Sequence, residues 1–175
     1  MQNLSLENFI NEKNRSFPKV LELGGGEGKD TLLFLDRGSK EVWMIDKKDT
    51  IKLDPRVHFF QGDYSKTDEI QTWFPEESFD LLFSAYSLCF NTRESIETFL
   101  PFYINKLKTG GDCLIFDFSS IEKVVTRRTS LDSEWFQSLL AKYFEKIEVK
   151  KQKIYEKEHN HSHNILQIAC CQKKK

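Results

Sequence analysis

VLELGGGEG, residues 20–28, is a short apolar run that ends in an acid and passes directly into a glycine-rich turn. It reads as a buried strand feeding a nucleotide-binding loop. Gly24, Gly26 and Gly28 lack the Cβ atoms that would hold a ligand off the backbone, and they permit dihedrals closed to other residues. An adenosine-like ligand is the expectation for this loop.

Working outward, four further runs have the length and bounds of strands: EVWMID, RVHFFQGD, FDLLFSAYSL and GDCLIFDF. Between them lie segments with helical spacing. One runs from Asp30 to Asp36 and is closed by Gly38; another runs from Thr92 to Lys108 with apolar residues at Ile96, Phe99, Leu100, Tyr103 and Leu107. Asn91, with Glu94 three positions on, reads as the cap of the second. Alternation of this kind predicts an α/β fold, a doubly wound, mostly parallel sheet with helices on both faces. Only about ten residues separate Asp46 from Val57, which predicts a connection reduced to a turn.

The last third changes character. Phe136, Leu139, Leu140, Tyr143 and Phe144 are spaced as a further amphipathic helix, and Lys146 to Tyr155 and Asn164 to Cys171 read as two extended segments with a turn at Asn160 to His163. So short a link requires antiparallel strands, so the seven-stranded sheet is expected to end in a C-terminal hairpin.

Bulk properties narrow the class. A chain of 175 residues supports one core, so residues 1–175 are expected to form a single domain. With 26 basic and 27 acidic residues there is no overall field to recruit a polyanion or a membrane surface, and neither nucleic acid nor membrane is expected as a partner. The start, MQNLSLENF, lacks a basic region followed by an apolar segment, which predicts a cytoplasmic protein. Cys89, Cys113, Cys170 and Cys171 show no ligand spacing and read as free thiols, with Cys170 and Cys171 on opposite faces of a strand.

Two acids join the glycine loop. Asp46 ends the second strand, where a carboxylate can accept bonds from both ribose hydroxyls of a nucleoside, or else cap a turn. Asp63 follows the third strand, where it can meet an adenine edge or close an Asx turn. Loops carrying Gly24, Asp46 and Asp63 leave the same carboxyl edge of a parallel sheet, and together they describe an adenosine pocket.

On these residues the chain resembles the class I S-adenosylmethionine-dependent methyltransferases, along nearly all its length. LELGGGEG is similar to the family's first motif, MIDKK to its second, QGDYS to its third, FDLLFSAYSL to its fourth, and LKTGGDCLIFDF to the turn and strand that follow. The spacing through SAYSLCF and the final EHNHSHNILQIACCQKK most resembles the small-molecule, tellurite-resistance-like group. The resemblance implies S-adenosylmethionine as cofactor and a small-molecule methyl acceptor as partner. It implies that Glu22 steadies the loop and the methionine amino group, that Gly24, Gly25, Gly26 and Gly28 line the cofactor, that Asp46 is the ribose acid, and that Lys47 beside it also binds the cofactor. Asp63 and Tyr64 would hold adenine, and Ser84 and Tyr86 would lie beside the sulfonium. The place of the NPPY-like motif of base methylases reads SAYSL, against a flipped-base mechanism.

Methyl transfer asks the protein chiefly to align donor and acceptor, so no triad is expected and catalytic residues are not fixed by pattern. Tyr86 is a candidate through its ring or hydroxyl, or else a core-edge aromatic. His159, His161 and His163 alternate, so an extended backbone would put all three on one side. His161 or His163 is a candidate base near the acceptor; with no fourth ligand evident, no metal site is expected. About eighteen residues precede the first strand, which predicts an abbreviated N-terminal cap and a site that a second copy or a partner chain could complete. Two other readings stand beside this one. A non-catalytic binding or scaffold subunit would keep the fold without turnover, and a nicotinamide-dependent oxidoreductase would use the same glycines but wants glycine where Lys29 stands.

Overall fold

The computed structural model describes residues 5–49, 54–121, 131–156 and 161–175. In chain order the elements are α1 (Leu6–Lys13), β1 (Lys19–Leu23), α2 (Lys29–Asp36), β2 (Glu41–Asp46), β3 (Val57–Gln61), α3 (Thr67–Ile70), β4 (Phe79–Ala85), α4 (Arg93–Asn105), β5 (Leu107–Ile121), α5 (Ser133–Leu140), β6 (Phe144–Glu156) and β7 (His161–Lys173). The seven strands form one sheet in the order β3-β2-β1-β4-β5-β7-β6. The first five pair in parallel, and β7 runs antiparallel between β5 and β6, which is the expected α/β architecture with its terminal hairpin.

Alternation along the strands divides the core in two. Val20, Val42, Leu81, Phe83, Leu114, Phe116 and Ala169 pack on one face against Leu6, Phe9 and Ile10 of α1 and Phe34 and Leu35 of α2. Leu21, Leu23, Leu82, Cys113, Ile115, Ile168 and Cys170 face the other way, against Ile70 of α3, Phe99 and Tyr103 of α4 and Phe136 and Leu140 of α5. Successive strand residues point to opposite faces, so strands buried on both sides are apolar at most positions, and Glu22, Ser84 and Asp117 are buried polar exceptions. Cys89, Cys113 and Cys170 are buried free thiols and Cys171 is half-buried.

Local chemistry sets the boundaries, and several differ from expectation. Gly38, at φ +95°, ends α2 as expected: its N–H and that of Ser39 return to the carbonyls of Leu35 and Phe34. Capping of α4 falls to Thr92, whose hydroxyl accepts the Ser95 N–H, while Asn91 turns its amide to Tyr64. That helix stops at Asn105, because Leu107 already belongs to β5. Tyr143 and Phe144 fall outside α5, which ends at Leu140; Phe144 opens β6. His161 to His163 belong to β7 instead of a turn, paired through Ile121↔His163 on β5, and residues 157–160 lie outside the described residues. After Asp46, the described part of the connection is a turn closed by the Val57 N–H on the Asp54 carbonyl; residues 50–53 are not described.

The N-terminal segment forms a helix that the spacing did not announce. Ser5 caps α1 by accepting the Asn8 N–H, and Leu6, Phe9 and Ile10 are buried on the α2 face of the sheet. No described helix is long and apolar enough to cross a membrane.

Candidate functional site

At the carboxyl edge of β1 the chain turns through three glycines in the left-handed region, Gly24 at φ +75°, Gly26 at +56° and Gly28 at +78°. The Gly24 N–H donates to the Ile45 carbonyl at 2.8 Å and the Gly28 N–H to that of Gly25 at 2.9 Å, so the loop is tied to β2 and to itself. Gly28 then starts α2. A Cβ on Gly26 would meet nothing within 4 Å, so this backbone faces open space.

That space is a cleft of about 390 Å³, within the roughly 300–1,000 Å³ usual for small-molecule sites. Gly24 and Gly26 form one wall; Asp46 and Lys47 follow β2, Asp63 and Tyr64 follow β3, and Tyr86, Ser87, Phe90 and Asn91 follow β4. Seven residues expected at the cofactor therefore meet in one place. The other four lie beneath or beside it. Gly25 packs against the Met44 side chain, which leaves no room for a Cβ. Gly28 is buried at the helix start. Ser84 is buried and donates to the Leu23 carbonyl at 3.1 Å, pinning β4 to β1. Glu22 is buried with its carboxylate accepting the Thr31 hydroxyl of α2, and burial pushes its pKa up to about 8.

The acids at the mouth are held in defined poses. Asp46 accepts the Gly26 N–H on Oδ2 and the Lys48 N–H on Oδ1, each at 2.8 Å. Asp63 closes an Asx turn on Ser65 and pairs with Lys47 Nζ at 2.9 Å. Partial burial would raise the Asp63 carboxyl, but the bonds from Lys47 and Ser65 outweigh it and leave the pKa below the usual carboxylate value.

A buried polar knot backs the cleft. The Tyr64 hydroxyl donates to the Ser87 carbonyl at 2.7 Å and accepts from Ser87 Oγ and Asn91 Nδ2, both at 2.9 Å. Burial pushes this phenol up to about 12. Tyr103 of α4 donates to the Tyr64 carbonyl at 2.6 Å, coupling the knot to the core.

Tyr86 sits at φ +52° directly after β4, its N–H donating to the Phe116 carbonyl and its ring 5.3 Å from Phe118. It is 39% exposed and Phe90 59%, two large rings presented at the mouth. Burial raises the Tyr86 phenol, with the carboxylates of Asp117 and Asp30 adding to the shift.

Two contributors were missed in the sequence. Asn91, a helix cap by residue type, instead braces Tyr64. Asp117 is fully buried in β5, accepts the N–H groups of Cys89 and Phe118, and so anchors the turn Leu88–Phe90; burial lifts it to about 6. An acid inside the apolar run GDCLIFDF was the available signal. Of the histidines, the backbones of His161 and His163 begin β7 at the carboxyl end of β5, the same edge as the cleft, and His159 lies outside the described residues. Among the described residues no cluster of three His, Cys, Asp or Glu side chains could hold a metal ion.

Residues 20–111, just over half of the chain, match a family described as methyltransferase domain. No curated protein matches the chain. Among solved structures it is similar to the Burkholderia thailandensis 1,6-didemethyltoxoflavin-N1-methyltransferase, solved with 1,6-didemethyltoxoflavin and S-adenosylhomocysteine, at TM-score 0.72 and 20% identity over 95% of this chain and 76% of that one. It is also similar to an S-adenosylmethionine-dependent methyltransferase from Archaeoglobus fulgidus, at TM-score 0.74 and 15% identity over 97% and 93%. Phosphoethanolamine N-methyltransferase 2 of Haemonchus contortus matches at TM-score 0.73 and 14% identity over 96% of this chain, which spans 52% of that protein's length. At such identities the likeness is one of fold.

Proposed function

Because the chain belongs to the methyltransferase domain family, we propose that it moves a methyl group from S-adenosylmethionine to a small-molecule acceptor, with the cofactor in the cleft beside Gly24 and Gly26. One observation carries this reading: loops from β1, β2 and β3 bring a Cβ-free backbone and two fixed carboxylates around a single cleft at the carboxyl edge. The solved relatives that carry S-adenosylmethionine or S-adenosylhomocysteine support it.

The residues fit the cofactor. Gly26 leaves a cradle that a side chain would fill. A carboxylate has about four acceptor sites, so Asp46 can take both ribose hydroxyls while keeping its bonds to the Gly26 and Lys48 N–H groups. Asp63 and the Tyr64 backbone, held by Lys47 and Tyr103, would meet the adenine edge. When bound, the cofactor supplies an activated methyl carbon. The chain's own task is then alignment and exclusion of water, which falls to Tyr86 and Phe90 over the mouth.

Asp46→Ala is expected to weaken S-adenosylhomocysteine binding at least tenfold in calorimetric titration, since hydrogen bonds to a charged group contribute about 1.5–3 kcal/mol each and the loop loses its Gly26 tether as well. NADH serves as the control ligand and is expected not to bind. Binding of NADH, or an affinity unmoved by the substitution, would remove the assignment.

Tyr86 is assigned to the acceptor side of the cofactor. Tyr86→Phe is expected to keep most turnover, and Tyr86→Ala to lose at least tenfold in kcat/KM, because the ring and not the hydroxyl closes the mouth. Equal activity in both variants would end that role.

A further inference from the structure

A second cavity of about 220 Å³ adjoins the cofactor cleft, and the two share Tyr86. Its floor is Phe83 and Ala85 of β4 with Phe116 of β5, Leu6 of α1 forms a wall, and Asp30 of α2 supplies a carboxylate. We infer that this cavity takes the methyl acceptor, and that the acceptor is a small amine with an apolar body whose nitrogen is held by Asp30. The inference rests on the cofactor reading above.

Three features of the cavity select that chemistry. Phe83, Phe116 and Leu6 are buried core residues, with Phe83 packed edge-on against Phe34 and Phe116, so the floor is rigid and apolar. Its volume lies below the roughly 300 Å³ at which drug-sized pockets begin, which suits a body of one ring. Among the described residues Asp30 is the only charged residue of the wall, and no cation or hydrogen-bond donor meets its carboxylate. Asp46 and Asp63, by contrast, each hold partners within 3.0 Å. Of the two other wall residues with a polar group, Ser5 has its hydroxyl engaged by the Asn8 N–H, and Tyr86 is the residue shared with the cofactor cleft.

An unpaired, half-buried carboxylate attracts an N–H donor and repels any acceptor that reacts as an anion, such as a thiolate, a phenolate or a carboxylate. Burial also raises the Asp30 carboxyl above its ordinary pKa, which makes it a better proton acceptor. The neutral amine's lone pair forms the new N–C bond. The C–S bond of the sulfonium breaks and its electron pair stays on sulfur, leaving a thioether. The positive charge passes to nitrogen, which sheds one proton to Asp30 and thence to water.

The test uses the full chain loaded with S-adenosylhomocysteine, titrated with benzylamine and with benzyl alcohol of the same shape, and read by the methyl resonances of Leu6 and Ala85. Benzylamine is expected to shift both resonances saturably and to bind more tightly than the alcohol. Asp30→Asn should raise the benzylamine Kd at least tenfold while leaving those of benzyl alcohol and S-adenosylhomocysteine within threefold. Equal affinities for amine and alcohol in the native chain, no shift with either probe, or an amine affinity indifferent to Asp30→Asn would overturn the inference. Failure of S-adenosylhomocysteine to bind at all would overturn the cofactor reading and this one with it.

Discussion

Gly24→Ala is expected to lower the unfolding temperature by roughly 6–12 °C and to weaken S-adenosylhomocysteine binding by more than tenfold. The backbone there has φ +75°, and an added Cβ would lie 1.9 Å from Ser87 Oγ and 2.5 Å from Ser87 Cβ. A left-handed backbone costs a non-glycine residue about 1–2 kcal/mol, and overpacking of this kind about 1–3 kcal/mol. A combined loss near 3 kcal/mol corresponds to the stated temperature shift for a chain of this size, at roughly 2–4 °C per kcal/mol. Affinity falls for a separate reason. Ser87 can yield only by breaking its bond to the Tyr64 hydroxyl, and both residues line the cleft.

Gly26→Ala provides the contrast. Nothing lies within 4 Å of its added Cβ, so the strain of φ +56° is the whole structural cost, yet the methyl group projects into the cleft. It should lose affinity with little loss of thermal stability. Paired scanning calorimetry and ligand titration of the two variants check this. A Gly24→Ala protein with native unfolding temperature would mean that Ser87 moves freely and that the knot behind the cleft contributes little.

The parts of the fold that could be read early are those where covalent pattern and burial say the same thing. Val20, Leu21 and Leu23 are apolar because β1 is covered on both faces, and glycines follow because the backbone must turn left-handed three times. Such constraints act on neighbouring residues, so they show in a single sequence. Helix α1 was missed because eight residues with three buried side chains carry a weak period, and its place is set by packing on Phe83 and Phe116, far away in sequence. Asn91 and Thr92 are both good caps by type, and what separates them is Tyr64, 27 residues earlier, which claims the Asn91 amide. For the site, spacing shows which residues reach the carboxyl edge but not which way their side chains turn. Hence Asp46 and Asp63 could be named, whereas the inward turn of Glu22 toward Thr31 and the support from Asp117 needed the third dimension.

Glu22→Gln is expected to stabilise the protein at pH 8 and to have little effect at pH 5. Burial raises the Glu22 carboxyl most; the Thr31 hydroxyl bond lowers it, and the charges of Asp30 and Asp46 raise it again, leaving it at about 8 against 4.5 for a free glutamate. The native state therefore holds a proton that the unfolded chain releases. Between about pH 4.5 and 8 the native state binds more protons than the unfolded state, so stability falls as pH rises across that window. Each tenfold change in proton affinity is worth about 1.4 kcal/mol, so the loss is on the order of 4 kcal/mol, a large part of the roughly 5–15 kcal/mol that holds a domain folded. Glutamine keeps the shape of the protonated acid and an oxygen to accept from Thr31, but it cannot ionise. Urea unfolding of both proteins at pH 5, 6.5 and 8 should give similar stabilities at the lowest pH and a gap in favour of the variant that widens with pH. Two parallel curves would show that Glu22 ionises in the folded protein without penalty, which would require a cation or water beside its carboxylate in place of the buried Thr31 contact.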